Sequence, residues 1–281
     1  TAATFTGKIN RAWNISSFTQ LTKDAPHSYF VQENQDETNI DEVIVESTAE
    51  PIPSIFTFPK GAHTGTFMHE LFERHKPQDL LNKEYLTNIL SRTFFSEEVS
   101  NNLDIWVDVV LNWLADIFKN ELLPNLTFAE SLQTNALHEL EFLFPVKQPF
   151  TAEKFNHYLQ NYRDSETLPQ LNFFTLQGMM KGFIDLIFVH NGKFYIADYK
   201  TNYLGDLPED YNESNVHQSM LDAYYDVQYL IYSVALMRYL KFRMPNFNYD
   251  EHFGGIFYLF VRGMSHSGNH GLYFRKPKKE D

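Results

Sequence analysis

Residues 181–200 read KGFIDLIFVHNGKFYIADYK, and this stretch decides the fold. Two runs rich in Phe, Ile, Val and Tyr flank the dipeptide Asn191-Gly192, which is the strongest short-range signal for a β-hairpin. A two-residue turn there fixes the register of the two strands, because residues whose numbers have the same sum then lie opposite each other. The register therefore predicts that Asp185 faces Asp198.

Like charges that face each other destabilise a sheet, since the Cβ atoms of such a pair lie about 5 Å apart. A shared proton or a cation held between the carboxylates removes that repulsion. Lys200 lies two residues beyond Asp198 and emerges on the same face of the strand. The ordinary interpretation is a charge pair at a strand end with Asp185 solvated, but both acids have apolar neighbours that disfavour it. The constellation predicts a site for metal-assisted chemistry.

Composition and charge narrow the classes of function. The chain has 281 residues, of which 43% are hydrophobic, enough for one large domain or two small ones with a substantial core. The net charge of −13 disfavours a grip on nucleic acid through bulk electrostatics, so a DNA contact must be local, metal-neutralised or supported by a partner. The absence of Cys excludes disulfides, thiol catalysis and Cys-ligated metal clusters, and fits a reducing cytoplasm. Because the first residue is Thr, we expect a processed product or an excised domain.

In residues 58–75, FPKGAHTGTFMHELFERH, glycines precede a helical pattern that predicts a helix over 64–75. Thr64 or Thr66 is expected to cap this helix, and Phe67 is expected to face the core. His69 lies within the first turns. By residue type and position alone it is an ordinary surface or core histidine rather than a ligand.

A second helical pattern covers residues 215–243 and predicts one long helix. Tyr224, Gln228 and Tyr232 fall at positions i, i+4 and i+8 and so share a stripe on that helix. Core packing is the ordinary interpretation of aromatic residues at this spacing. Next to the hairpin, the same stripe can instead hold a phosphate or a base.

Several stretches together resemble the nuclease domains of the RecB family, within the PD-(D/E)XK superfamily. The stretches are FTGKINRAW, GTFMHELFE, the hairpin with the KTNYLG that follows it, DVQYLIYSVALMRYLKFR and NYDEHFGGIFYLFVRG. The hairpin alone, with an Asp, about a dozen residues and then Asp-x-Lys, indicates only the wider superfamily. The resemblance implies the C-terminal nuclease part of a longer helicase–nuclease. No GxxxxGK[ST] phosphate loop is present, so we expect the motor to be absent from this fragment.

The resemblance also implies roles for individual residues. Catalytic roles are implied for Asp185, Asp198 and Lys200. A site for Mg²⁺, which Mn²⁺ or Ca²⁺ can also occupy, is implied for His69, Asp185, Asp198, the backbone carbonyl of Tyr199 and, across alignment gaps, Glu139. DNA contacts are implied for Gln228 and Tyr232 and proposed for Tyr224 on the same stripe.

The implied fold is α/β, a restriction-endonuclease-like core whose central mixed sheet is flanked by helices. We expect a single domain, 1–281, with an acidic loop at 33–55, a mainly helical insertion at 80–130 and the catalytic core at 136–262. The implied substrate is DNA with single-stranded ends, and the implied partners are RecC, RecD and RecA in the bacterial cytoplasm. Two alternatives stay open: a non-catalytic docking module for RecA or partner subunits, and a stand-alone PD-(D/E)XK endonuclease.

Overall fold

The computed structural model of the chain describes residues 13–23, 52–93, 99, 101–163 and 170–279. A six-stranded mixed sheet forms its centre, beside a separate two-stranded sheet. The strands are β1 (Asn14–Ser16), β2 (Glu121–Leu123), β3 (Leu126–Thr127), β4 (Ala136–Phe150), β5 (Leu176–His190), β6 (Lys193–Lys200), β7 (Phe253–Phe260) and β8 (Leu272–Arg275). The predicted acidic loop lies outside the described residues up to residue 51.

Helices cover both faces of the central sheet. The α-helices are α1 (Phe18–Thr22), α2 (Ala62–Arg74), α3 (Pro77–Leu80), α4 (Lys83–Thr93), α5 (Leu103–Ile117), α6 (Phe128–Ser131), α7 (Ala152–Tyr162), α8 (Glu213–Asp222), α9 (Tyr225–Arg243) and α10 (Tyr249–His252). Side chains from α2 to α6 form one buried cluster with the sheet, and side chains from α1 and α7 to α10 form the other. The α/β class is therefore confirmed, whereas the division into domains stays a prediction. Within the described ranges, no helix has the length and apolar character needed to cross a membrane.

The hairpin forms as predicted. β5 and β6 are antiparallel, and their pairs run from His190–Lys193 to Leu186–Ala197, which is the predicted register. The two turn residues both have positive φ, 49° and 75°, the geometry for which an Asn-Gly pair is suited.

Three strands share the two edges of β5. β4 pairs with one edge along most of its length, and β6 pairs with the other edge at residues 186–190. β1 pairs in parallel with that second edge at Gly178–Met180. The described residues supply no strand partner for the second edge at residues 181–185. β7 lies parallel to β6, and β8 antiparallel to β7.

In β4 and β5, the alternation of side chains between the two faces of the sheet reverses at one point. Leu186 packs with the α2 layer and Ile187 with the α9 layer, as alternation requires. Ile184, however, also packs with the α9 layer, so the alternation is reversed at Asp185. By register, the residue opposite on β4 is Glu139, which has a φ of 50°. Asp185 and Glu139 do not form a regular ladder pair, so the pairing of β4 with β5 is irregular at the predicted site.

The prediction of one helix across 215–243 is wrong, because the chain breaks between α8 and α9. Tyr224 adopts a left-handed conformation with φ 55° immediately before α9. Asp226, in the first turn of α9, accepts hydrogen bonds from Arg163 Nε and Nη2 at 2.5 and 2.6 Å. It also accepts one from the Val227 amide. This buried ion pair fixes a new helix start that local sequence does not signal.

The predicted threonine cap of α2 is also wrong. The helix begins at Ala62, with Gly61 at φ 99° in the N-cap position and no side-chain cap. Thr64 is buried within the first turn, and Thr66 Oγ1 donates to the Ala62 carbonyl at 3.2 Å. Phe67 faces the core as predicted.

A buried arginine joins the loop before α2 to the end of β6. Arg262 is 2% exposed, and its guanidinium donates to the carbonyl of Thr201 at 3.1 Å. It also donates to the carbonyls of Ile55, Phe58 and Pro59 at 2.6, 3.1 and 2.6 Å. The approach to α2 and the residue after Lys200 are therefore held by one side chain.

Substitution of Gly178 tests the docking of β1. Its φ is 128°, and a Cβ there would lie 2.2 Å from the Asn14 carbonyl oxygen. Gly192 also has positive φ, 75°, but a Cβ there meets nothing within 4 Å. We expect Gly192→Ala to cost about 1 kcal/mol of unfolding free energy through backbone strain alone. Gly178→Ala should cost about 1–3 kcal/mol more through the clash. If urea unfolding showed that the two variants lose the same unfolding free energy, the close packing of Gly178 against Asn14 would be contradicted.

Candidate active site

A cleft of about 480 Å³ opens where the second edge of β5 lacks a strand partner. The β1–α1 connection, β4, β5 and α9 line it, and the lining includes Glu139, Asp185, Gln228 and Tyr232. Its volume falls in the range of about 300–1,000 Å³ that is usual for ligand clefts. The structure therefore places several predicted site residues around one opening.

Asp185 lies between α2 and the end of β6. Its side chain is buried, and Oδ2 accepts a hydrogen bond of 3.0 Å from the Tyr199 amide. His69 reaches the same point from α2. Its Nδ1 is 3.4 Å from Asp185 Oδ2, and its Nε2 is 3.1 Å from the Tyr199 carbonyl oxygen. A helical histidine, a carboxylate and a backbone carbonyl thus converge.

Asp198 and Lys200 point into the α9 layer beside that point. Asp198 Oδ2 lies 2.7 Å from Lys200 Nζ, and both side chains are buried. Apart from this ammonium, no hydrogen-bond donor serves Asp198 Oδ2 in the part of the chain described. The ammonium also lies 4.0 Å from the ring centre of Tyr225 and 5.6 Å from that of Tyr258. Lys200 is therefore held by a carboxylate and two aromatic rings.

A pair of glutamates adjoins His69. The carboxyl groups of Glu73 and Glu139 lie close to each other. Glu73 Oε1 lies 3.7 Å from His69 Nδ1. These three side chains offer ligand atoms within 4.8 Å of one another. The sequence motifs do not single out Glu73, although its i,i+4 spacing from His69 places both on one face of α2.

The acids and the histidine have shifted pKa values. Burial and the charge of Asp198 raise the pKa of Asp185 to about 7. Partial burial and the hydrogen bond with Glu73 raise the pKa of Glu139 to about 7. Burial opposes the charge of His69, but Asp185 and Glu73 outweigh it and raise the pKa of His69 to about 9. The site thus retains protons near neutral pH that a bound cation would displace.

Two residues of the predicted stripe reach the site, and one does not. Gln228 Nε2 donates to Tyr232 Oη at 3.0 Å, and Tyr258 Oη donates to Gln228 Oε1 at 2.9 Å. Tyr224 lies elsewhere, with its ring centre 5.4 Å from the Arg163 guanidinium. The helix break removes Tyr224 from the stripe. It also brings Tyr225 to Lys200, which no sequence pattern indicated.

The donor types at this site suit a divalent cation, and the described side chains whose ligand atoms lie within 4.8 Å of one another are His69, Glu73 and Glu139. Carboxylate oxygens of Asp185 and Asp198 and the carbonyl of Tyr199 are hard ligands of the kind that Mg²⁺ takes, and His69 adds a nitrogen that also suits Mn²⁺. The buried Asp198 carboxylate has Lys200 as its charged partner at 2.7 Å, and no other described donor serves its Oδ2.

A comparison with known families agrees with this geometry. A model of the PD-(D/E)XK nuclease superfamily matches residues 46–280. The chain belongs to the PD-(D/E)XK nuclease superfamily. The match covers most of the chain and includes both hairpin strands, α2 and α9. The superfamily and the fold that the hairpin motif implied are confirmed.

Among PD-(D/E)XK proteins, the chain is similar to RecB subunits of RecBCD enzymes. It is 34% identical to RecB of Haemophilus influenzae over 99% of this chain and 24% of that protein. It is 30% identical to RecB of Escherichia coli over 94% of this chain and 22% of that protein, and 34% identical to RecB of Borreliella burgdorferi over 95% and 23%. The resemblance to the RecB nuclease domain is confirmed. The chain spans about a quarter of the length of these relatives.

Substitution of Asp185 by Asn tests the charge balance of the site. The carboxylate has a pKa of about 7 in the folded protein, against about 3.9 in an unfolded chain. Its ionisation therefore lowers folded-state stability progressively as pH rises between these values. Asn keeps an oxygen for the Tyr199 amide but carries no charge. At about pH 8 in the presence of a chelator, Asp185→Asn should raise Tm. The increase should be about 2–4 °C for each kcal/mol of unfolding free energy regained.

The same measurement reports cation binding. The parent protein should gain stability from Mg²⁺ or Mn²⁺, and Asp185→Asn should not, because a metal ligand is lost. The exposed Glu153, in the first turn of α7, supplies the control variant Glu153→Gln, which should respond like the parent. A full cation response in Asp185→Asn would contradict the assignment of this carboxylate as a ligand.

Proposed function

We propose that the chain is a Mg²⁺-dependent deoxyribonuclease that hydrolyses phosphodiester bonds in single-stranded DNA. The observation that carries the proposal is the convergence of His69, Asp185 and the Tyr199 carbonyl beside the Asp198–Lys200 pair, whose Oδ2–Nζ distance is 2.7 Å. Membership of a nuclease superfamily supports the reaction class. The choice of metal and of strand is the finer part of the proposal.

The residues that would hold the cation are His69, Asp185, Asp198 and the carbonyl of Tyr199. When bound, the cation supplies Lewis-acid polarisation of the scissile phosphate and lowers the pKa of a coordinated water. For the nitrogen of His69 to serve as a ligand, the imidazole must lose the proton that Asp185 and Glu73 favour.

Lys200 is the residue assigned to the attacking water and the phosphate. Its ammonium is fixed by Asp198 and by the rings of Tyr225 and Tyr258, so little ordering is needed when substrate binds. In that position it orients the water and stabilises the negative charge that develops on the phosphate oxygens. The water oxygen bonds to phosphorus as the bond to the leaving oxygen breaks.

Two further groups are assigned supporting roles. Glu139 lines the cleft and has a pKa of about 7, so its carboxylate can accept a hydrogen bond, or a proton, from the water. Gln228 and Tyr232 also line the cleft and are tied to each other at 3.0 Å. We assign these two residues to contacts with the DNA strand, and we assign none to Tyr224.

The names of the relatives suggest the assembly in which the chain acts. RecB proteins of three bacteria match it over nearly its whole length. We propose that the chain is the nuclease part of a RecBCD-type repair enzyme in the bacterial cytoplasm. Its partners would then be RecC and RecD, with RecA as a further contact.

Loss of either hairpin charge should abolish cleavage. Asp198→Asn removes a buried ligand with little change in shape, and Lys200→Met removes the ammonium while keeping the length of the chain. Each should lower the rate on single-stranded DNA with Mg²⁺ by about 10²–10⁴-fold. Lys119→Met, at an exposed lysine outside the cleft, is the matched control. Cleavage by folded Asp198→Asn at the parent rate would refute the proposed function.

Tyr225 tests how Lys200 is positioned. A cation–π contact of this kind contributes about 0.5–2 kcal/mol, so Tyr225→Leu should lower kcat by roughly 2- to 30-fold. Tyr225→Phe keeps the ring and should restore most of the rate, with KM for DNA little changed in both variants. If Phe and Leu gave the same loss, the hydroxyl bonded to Asn202 would be the important group instead of the ring.

A further inference from the structure

The charged residues that line the cleft beside Asp185 do not favour the binding of a polyanion. Among the described residues that line it are two acids, Glu139 and Asp185, and one base, Lys181. The ammonium of Lys181 is already 2.7 Å from Glu141 Oε1. With a net charge of −13 on the whole chain, phosphate attraction supplies little of the affinity at this point. Contacts to the bases are therefore needed in addition to the phosphate contacts assigned to a bound cation and Lys200.

The walls of the cleft offer such contacts. Phe183 on β5 is 44% exposed and Ile15 on β1 is 53% exposed, and both line the opening. No described aromatic ring packs against Phe183, and the nearest cation, Lys181 Nζ, lies 5.5 Å from its ring centre. A single exposed apolar ring is ordinary on a protein surface, but this ring lies in the wall of the cleft that contains Asp185.

Phe183 is also well placed along the strand. It lies two residues before Asp185, within the stretch 181–185 whose second edge has no partner among the described strands. Two residues of strand span about 6–7 Å. The backbones of Phe183 and Asp185 are therefore about that far apart, and both residues line the same cleft.

We propose that Phe183 is a base-stacking platform that makes the site selective for single-stranded DNA. The inference rests on the proposed nuclease function and adds its specificity-determining residue. Stacking on an aromatic ring is open to every base of a single strand. In a duplex, the faces of the bases are covered by their neighbours, so the ring has nothing to stack on.

The experiment compares Phe183→Ala, Phe183→Leu and Phe183→Trp in the full 281-residue chain. Leu keeps the apolar bulk without a ring, and Trp enlarges the ring. Binding is measured by fluorescence anisotropy of a labelled oligonucleotide in the non-cleaving Asp198→Asn background, and cleavage is measured with Asp198 intact. Phe242→Ala, at a phenylalanine of α9 that is 85% exposed and does not line the cleft, is the control.

We expect Ala and Leu to weaken oligonucleotide binding and to raise KM by roughly tenfold to a hundredfold, because stacking contributes about 1–3 kcal/mol per base. Trp should bind at least as well as the parent. The ratio between parent and Ala should be the same at low and high salt, since no charge is changed. An abasic site beside the scissile phosphate should weaken oligonucleotide binding by the parent by a similar factor. It should leave binding by the Ala variant unchanged.

Two results would overturn the stacking role alone. One is cleavage and binding by Phe183→Ala equal to those of the parent. The other is a loss of affinity in Phe183→Ala, relative to the parent, that is equal on intact and abasic strands. Such a loss would indicate a packing defect. A parent protein that neither binds nor cleaves the oligonucleotide with Mg²⁺ would overturn the proposed function and this inference together.

Discussion

The hydrogen bond from the Tyr199 amide to the Asp185 carboxylate is the contact on which the site depends. The amide lies beyond the last ladder pair of β5 and β6, so the side chain takes the place of a strand partner. A buried amide without an acceptor costs about 1–3 kcal/mol, and this one is satisfied by a carboxyl group whose pKa is raised by burial and by the charge of Asp198. The fold thus requires a carboxyl oxygen where the chemistry requires a carboxylate.

The reversal of faces at Asp185 explains why residues from both layers meet. His69 comes from the α2 layer, whereas Lys200, Gln228 and Tyr232 belong to the α9 layer. In a regular sheet these groups would be separated by the thickness of the strands. Because the second edge of β5 is open between β1 and β6, both sets can reach the same cleft. The irregular ladder opposite Glu139 is therefore part of the site.

Local signals predicted the hairpin and its register, because an Asn-Gly turn leaves few alternatives. The break before α9 could not be predicted, since it depends on Asp226 meeting Arg163 across 63 residues. That break decides that Tyr225, instead of Tyr224, contacts Lys200. The threonine cap of α2 could not be predicted for a similar reason: the helix begins at Ala62, after a loop whose carbonyls are held by the distant Arg262.

The contacts of Arg262 also have a consequence for the order in which the protein becomes complete. They join residues separated by 207, 204 and 203 positions at one end and by 61 at the other. A ribosome releases the chain from its N-terminus, so the hairpin emerges well before this arginine. Until then, the loop before α2 and the residue after β6 lack the guanidinium that joins them, and only the packing of α2 and the contact of His69 with the Tyr199 carbonyl connect the two. A nascent chain therefore contains His69, Asp185, Asp198 and Lys200 before the Arg262 contacts can form.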